Sequence, residues 1–271
     1  MSYEQFYQLR EQPFSNTPDA RFFFEVDQHS DVLARLVYAV DTMKGLAVVV
    51  GDVGTGKTTL ARRMLDQLDD EHYESALLVI IHSAISAEWL LRRIASQIGI
   101  AQVAEEKVSI LSQIYQRLME LHETGRKAVV LIDEANMLQQ RELMEELRGF
   151  LNLEVPGSKL ITFILFGLPS LDALLALDTP LAQRVAVKCR LSSLSSETTK
   201  AYILHRLKVA GATQEIFAEP VLDQIAQDSR GIPRLINTIC DNVLLEGFLR
   251  KRDKLDVELV KEVVRDLGVT A

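Results

Sequence analysis

The chain has 271 residues, 48% hydrophobic and 25% charged, with a net charge of −8. It is long enough for one large domain or two smaller ones around a buried core, and its composition is that of a globular protein. The acid excess argues against a broad, constitutive nucleic-acid footprint, and no run approaches the roughly 20 apolar residues of a membrane span.

The only two cysteines, Cys189 and Cys240, have neither metal nor redox spacing, which suits a reducing compartment. The opening Met-Ser-Tyr-Glu-Gln-Phe lacks the basic and apolar regions of a signal peptide. Residues 1–25 interleave turn formers with aromatics (Pro13-Phe14, Pro18-Asp19, Phe22-Phe23-Phe24) and read as an ordered strap over the core. Five strand candidates follow, at 46–50, 75–82, 128–132, 159–166 and 186–191. Helical patterns separate them at 30–43, 57–69, 87–99, 107–123 and 139–152. Such alternation predicts an α/β domain with a five-stranded, mostly parallel sheet. Trp89 lies on a helical stripe and is expected in the core. Beyond about residue 192 the strand patterns stop, and helices are expected near 196–210, 218–229, 232–250 and 255–266, with Ser195 or Ser196 as an N-cap. The expected organisation is the strap plus an α/β domain over 1–192, then a small helical lid over 193–271.

The segment from Leu46 to Leu60 carries the chemistry. An apolar run ends at Gly51, and G-x-x-x-x-G-K-T closes on Gly56, Lys57 and Thr58 before a helical pattern. Strand, glycine loop and helix in that order make a phosphate site, a Walker A loop. Its glycines let backbone N–H groups curl around an anion, and the helix directs its positive end there. Gly51, Asp52, Val53, Gly54, Thr55, Gly56, Lys57, Thr58 and Thr59 are the expected nucleotide contacts. Lys57 is placed to reach the β- and γ-phosphates and Thr58 to hold Mg²⁺.

Residues 128–134, Ala-Val-Val-Leu-Ile-Asp-Glu, run apolar into two carboxylates. A strand buried on both faces has this pattern, and ligands bind beyond the carboxyl ends of such strands. Asp133 is expected to hold Mg²⁺ through water, and Glu134 to orient or deprotonate an attacking water, as a Walker B pair. The strap and the loop Asp27–Ser30 offer an alternative role as part of the adenine pocket, with His29 either a helix-start residue or a base contact.

These residues resemble an AAA+ ATPase, and more narrowly the general secretion pathway protein A family, represented by its ATPase module alone. The similar elements are Pro13-Phe14, Pro18-Asp19-Ala-Arg21-Phe-Phe, His29, Gly51–Thr59, Asp133-Glu134-Ala135, Glu146-Leu147-Arg148, Leu151–Glu154, Phe166-Gly167, Pro169, Gln183-Arg184, Tyr202 with Arg206-Leu207, Ala210-Gly211 and Ser229–Asn237. Relatives of this module serve pilus biogenesis and transposition, and longer members continue into a membrane segment and a peptidoglycan-binding region. The resemblance implies ATP and Mg²⁺ as cofactors, ATP hydrolysis, and a homo-oligomer assembled through nucleotide. It also implies secretion or type IV pilus components as partners. Arg234, starting a helix after Gly-Ile-Pro, would sense the γ-phosphate in the lid; pairing with an acid such as Asp241 is the alternative. Arg184 would reach the next subunit as a finger, or be an ordinary surface charge. The expected location is cytoplasmic, peripheral to the inner membrane only through a partner and without direct insertion. One departure stands out: the position after Gly167, normally polar, is Leu168, which has no hydrogen-bonding group. Slow turnover is therefore expected unless a neighbour substitutes.

Two other functions compete. A DNA-binding ATPase of the transposition-regulator type draws on Arg250-Lys251-Arg252 with Lys254. However, residues 191–271 hold 11 basic against 12 acidic residues, so nucleic acid is the disfavoured partner and a solvated helix end the simpler reading. A nucleotide switch with slow turnover draws on Leu168.

Overall fold

The computed structural model describes residues 2–17 and 19–269. Pro18, quoted in the resemblance, lies outside them, as do the chain-end residues Met1, Thr270 and Ala271 of the expected domain spans. By internal contacts the chain divides into two units, one of Asp27–Val53 and Lys57–Leu191, the other of Met1–Val26, Gly54–Gly56 and Ser192–Ala271.

The first unit holds the sheet. Its apolar runs form β1 (Leu46–Gly51), β2 (Tyr73–Val79) and β3 (Lys127–Asp133), then β4 (Glu154–Val155), β5 (Ser158–Lys159), β6 (Ile161–Gly167) and β7 (Val187–Leu191). The five long strands pair in parallel in the order β2-β3-β6-β1-β7. Val48 and Val50, Val130 and Ile132, and Phe163 and Leu165 join one core; Ala47 and Val49, Val129 and Leu131, and Ile164 and Phe166 join the other. A strand wet on neither face must be apolar at every position, so these runs show no polar alternation. Each such side chain contributes about 1.5–3 kcal/mol by leaving water. Helices Ala87–Gln97, Lys107–Glu123 and Arg141–Phe150 supply the first core, and Asp27–Asp41 and Lys57–Asp66 the second.

Two expectations are corrected in this unit. The run 159–166 is not one strand: Pro156-Gly157 turns the chain, β5 pairs antiparallel with β4, and β6 begins only at Ile161. Trp89 is not core but 40% exposed. The buried stripe of its helix is Leu90, Leu91, Ile94 and Ala95, and position 89 falls beside it, on the side of the exposed Arg93 four residues on.

The second unit contains helices Ser196–Val209, Glu219–Ser229, Pro233–Leu249 and Val257–Asp266, near the expected spans. Ser195 is the N-cap, its hydroxyl accepting the Thr198 N–H at 3.1 Å. The strap belongs here rather than with the α/β domain. Its aromatic residues Tyr3, Tyr7, Phe14 and Phe22 are buried in one cluster with Ile203, Ile236, Ile239 and Leu244. Arg206 is buried and ties the strap down through Nε to the Pro13 carbonyl (2.5 Å) and Nη2 to the Ser15 carbonyl (3.0 Å). Tyr202 accepts from Arg206 Nη1 at 2.8 Å and donates to Asn237 Oδ1 at 2.9 Å; Asn237 Nδ2 in turn donates to Asn16. Every member of this buried polar chain has a partner, so it specifies one position for the strap.

Candidate nucleotide site

The parallel register brings the carboxyl ends of β1, β6 and β3 side by side, with Val50 opposite Gly167 and Ile132 opposite Leu165. Three loops therefore leave the sheet at one edge, after Gly51, Asp133 and Gly167. In the first, Gly54 and Gly56 take φ of +79° and +97°, a conformation that would strain any residue with a Cβ. The following helix starts at Lys57, so the N–H groups of its first turn have no intrahelical acceptors. Lys57 is buried, and its Nζ donates to the Gly51 and Asp52 carbonyls at 2.8 and 2.9 Å. Gly51 and Thr55 are buried, Thr58 and Thr59 half-buried, and Asp52 and Val53 exposed.

Asp133, 1% exposed, ends β3. Its Oδ2 accepts from the Thr58 hydroxyl at 2.6 Å and its Oδ1 from the Glu134 N–H at 2.9 Å. A hydroxyl and a carboxylate oxygen are hard donors of the kind Mg²⁺ takes, so the residues fit that ion, which Thr58 and Asp133 would hold. Glu134 adopts the left-handed conformation, φ 54° and ψ 35°. For a residue with a side chain this is strained by about 1–2 kcal/mol, and such strain gathers at functional sites. It turns the chain sharply out of β3 into the short helical turn Ala135–Met137.

Sequence reasoning missed Asn136. It is buried, 5% exposed, and its Oδ1 accepts the Leu168 N–H at 2.8 Å. An Asn after Asp-Glu-Ala carries no motif of its own; only the polar gap at Leu168 hinted that a neighbour was needed there.

The structure brings Lys57, Thr58, Asp133 and Glu134 to one edge of the sheet. His29 is buried, at the third position of helix Asp27–Asp41. Arg184 is half-buried after the short helix Thr179–Ala182, with Nη1 directed to the Arg148 carbonyl at 3.4 Å. In the helical unit, Arg234 is exposed at the second position of its helix, and its backbone N–H donates to the carbonyl of Gly54 at 3.3 Å. The alternative pairing with Asp241 is not made: that carboxylate accepts the Tyr3 hydroxyl at 2.6 Å. Around the C-terminal cations, Arg250 pairs with Glu246 and Glu262, and Arg252 with Asp256, as a solvated helix end would.

A family model described as an AAA domain matches residues 40–175, half of the chain. The general secretion pathway protein A of Aeromonas hydrophila is 35% identical over 93% of this chain. The match covers 46% of that protein, so the chain spans less than half the length of this curated relative. Among solved structures, the Aeropyrum pernix ORC2 protein in its ADPNP and ADP complexes superposes with a TM-score of 0.71 at 18% identity, over 94% of this chain and 71% of that one. Drosophila ORC bound to DNA gives a TM-score of 0.73 at 16% identity, over 100% of this chain and 67% of that one. At those identities the likeness is one of fold. A glycine loop closed by Lys57-Thr58 and a carboxylate pair ending the neighbouring strand fit that fold throughout: the chain belongs to the AAA domain family and is an AAA+ P-loop ATPase.

Proposed function

We propose that this protein hydrolyses ATP with Mg²⁺ at the Walker loop, assembles through nucleotide, and serves a bacterial secretion or type IV pilus machine. The observation that carries the hydrolytic part is the Thr58–Asp133 pair at 2.6 Å with Glu134 next in the chain. Thr58 and Asp133 would hold Mg²⁺, which would supply charge neutralisation at the reacting phosphate. Lys57 would meet the β- and γ-phosphates, and Glu134 would take the proton of the attacking water. Leu168 contributes no polar group, which supports slow turnover. Arg234 as the γ-phosphate sensor, Arg184 as a finger completing the next subunit's site, and His29 beside the base complete the assignment.

The client assignment rests on the 35% identity to a general secretion pathway protein across 93% of this chain. The corresponding location is the cytoplasm, peripheral to the inner membrane only through a partner; no helix among the described residues is long and apolar enough to cross a membrane. Duplex DNA binding by the ATP-loaded Glu134→Gln protein, measured across a salt series, tests the client. Absence of binding in the assembled state agrees with a protein client. Tight, ATP-dependent binding that weakens steeply with salt would show phosphate contacts and replace this reading with a transposition-type DNA ATPase. Arg184→Ala is expected to abolish nucleotide-driven assembly; unchanged assembly and turnover would remove Arg184 from the site.

A further inference from the structure

We propose that Asn136 is a positioning residue for hydrolysis, fixing the Glu134 turn against the end of β6 in place of the polar side chain that Leu168 does not provide. The inference rests on the ATPase reading above and adds a residue to it.

Three observations carry it. First, Asn136 is 5% exposed, and its Oδ1 accepts the Leu168 N–H at 2.8 Å. Leu168 is the first residue beyond β6, where the backbone leaves the ladder and its N–H needs an acceptor. Second, Gly167 is matched to this contact. A Cβ there would lie 3.1 Å from Asn136 Oδ1, 3.2 Å from its backbone nitrogen and 2.9 Å from Leu171 Cδ2, so any larger residue would push Asn136 back by a few tenths of an ångström. Third, Glu134 sits two residues before Asn136 in the strained left-handed conformation, and its carbonyl accepts the Met137 N–H at 2.8 Å. Strain persists only where surroundings over-determine it. Asp133 Oδ1 holds the Glu134 N–H on one side, and Asn136 anchors the turn on the other. The line Thr58–Asp133–Glu134–Asn136–Leu168 thus joins the helix after the glycine loop to the end of β6 through the side chains of Thr58, Asp133 and Asn136 and the backbone of residues 134–136. Removing the Asn136 amide leaves the Leu168 N–H without its acceptor and the Glu134 turn free to relax, so the carboxylate no longer meets a water in line with the phosphate.

The test uses the whole chain and three proteins: wild type, Asn136→Ala and Gly167→Ala. Turnover, nucleotide affinity and amide exchange at Leu168 are read for each. We expect Asn136→Ala to cut kcat by about 10–100-fold, the range seen when a residue supporting a catalytic group is lost, with affinity for ATP within threefold of wild type. Exchange at the Leu168 N–H should accelerate at least tenfold. Gly167→Ala, whose methyl requires Asn136 to give by a few tenths of an ångström, should move both readouts in the same direction and by less than Asn136→Ala does. Asn136→Ala with wild-type kcat, or a kcat loss matched by an equal loss of ATP affinity, would overturn the positioning role. No turnover by the wild type would overturn the ATPase reading itself, and this inference with it; the other failures leave that reading standing.

Discussion

Gly231→Ala is expected to unfold the helical unit at a much lower temperature. Gly231 has φ +69°, and a Cβ built on it would sit 1.9 Å from the Leu194 carbonyl oxygen and 2.8 Å from its carbon. The two backbones are held there by the Leu194 N–H donating to the Gly231 carbonyl at 2.8 Å. Alanine first meets the left-handed penalty, about 1–2 kcal/mol. The overlap is with backbone, so strands of chain must part, which costs about 1–3 kcal/mol as overpacking and about 1 kcal/mol for the broken hydrogen bond. Against this, alanine restricts the unfolded chain and returns about 0.4–1 kcal/mol. The net is on the order of 3–4 kcal/mol. For a unit of this size, each kcal/mol lowers Tm by about 4–8 °C, so calorimetry of the full chain should show the helical transition falling by more than about 10 °C. Gly268→Ala is the control: its φ is +67° but nothing lies within 4 Å of the added Cβ, leaving only the conformational penalty of about 1–2 kcal/mol. If Gly231→Ala melts within about 3 °C of Gly268→Ala, the argument from backbone overlap is wrong.

Lys57→Ala should lose nucleotide binding by at least about 100-fold in a fluorescent-ATP titration, since it deletes the charge proposed to meet the phosphates; affinity within threefold of wild type would move the site elsewhere. Leu168→Gln should raise turnover by about tenfold if the missing polar group limits the rate, below the roughly 10²–10³-fold of a fully aligned transition-state donor; phosphate release unchanged from wild type would show that it does not. Histidine NMR should find His72 titrating above 6.5, because the Asp69 carboxylate hydrogen-bonds its ring, and His205 below 6.5, because burial and then Arg206 and Lys208 disfavour its charge. The signs differ in their effect on folding. His72 adds stability that is complete below its unfolded pKa and lost as pH rises through its folded value. His205 works the other way: acidification through its unfolded pKa favours the unfolded chain. Midpoints in the reverse order would contradict both assignments.

Much of this was legible in the sequence because the informative features are local. The runs Leu46–Val50 and Ala128–Ile132 are apolar at every position since both sheet faces are covered, and the loop chemistry of Gly51–Thr58 lies within eight consecutive residues. What escaped depends on contacts between distant segments. The strap precedes the α/β domain in the chain and by position alone reads as part of it, yet Tyr3 meets Asp241 and Arg206 meets Pro13. Trp89 looked like core because helical spacing alone does not fix where a stripe is centred. Asn136 was invisible because its role follows from facing Leu168, 32 residues away. Glu134 was readable as a carboxylate after a strand, but its left-handed backbone was not.

The measurement that bears most directly on the central claim is phosphate release from Mg²⁺–ATP by the wild type and by Glu134→Gln, alongside nucleotide affinity for both. The substitution keeps the size and polarity of the side chain and removes its basicity. A general base contributes about 10²–10⁴-fold, so turnover should fall by at least about 100-fold while affinity stays within a few-fold. Equal turnover in the two proteins, or a loss explained by weaker binding alone, would contradict the assignment of Glu134 as the residue that activates water.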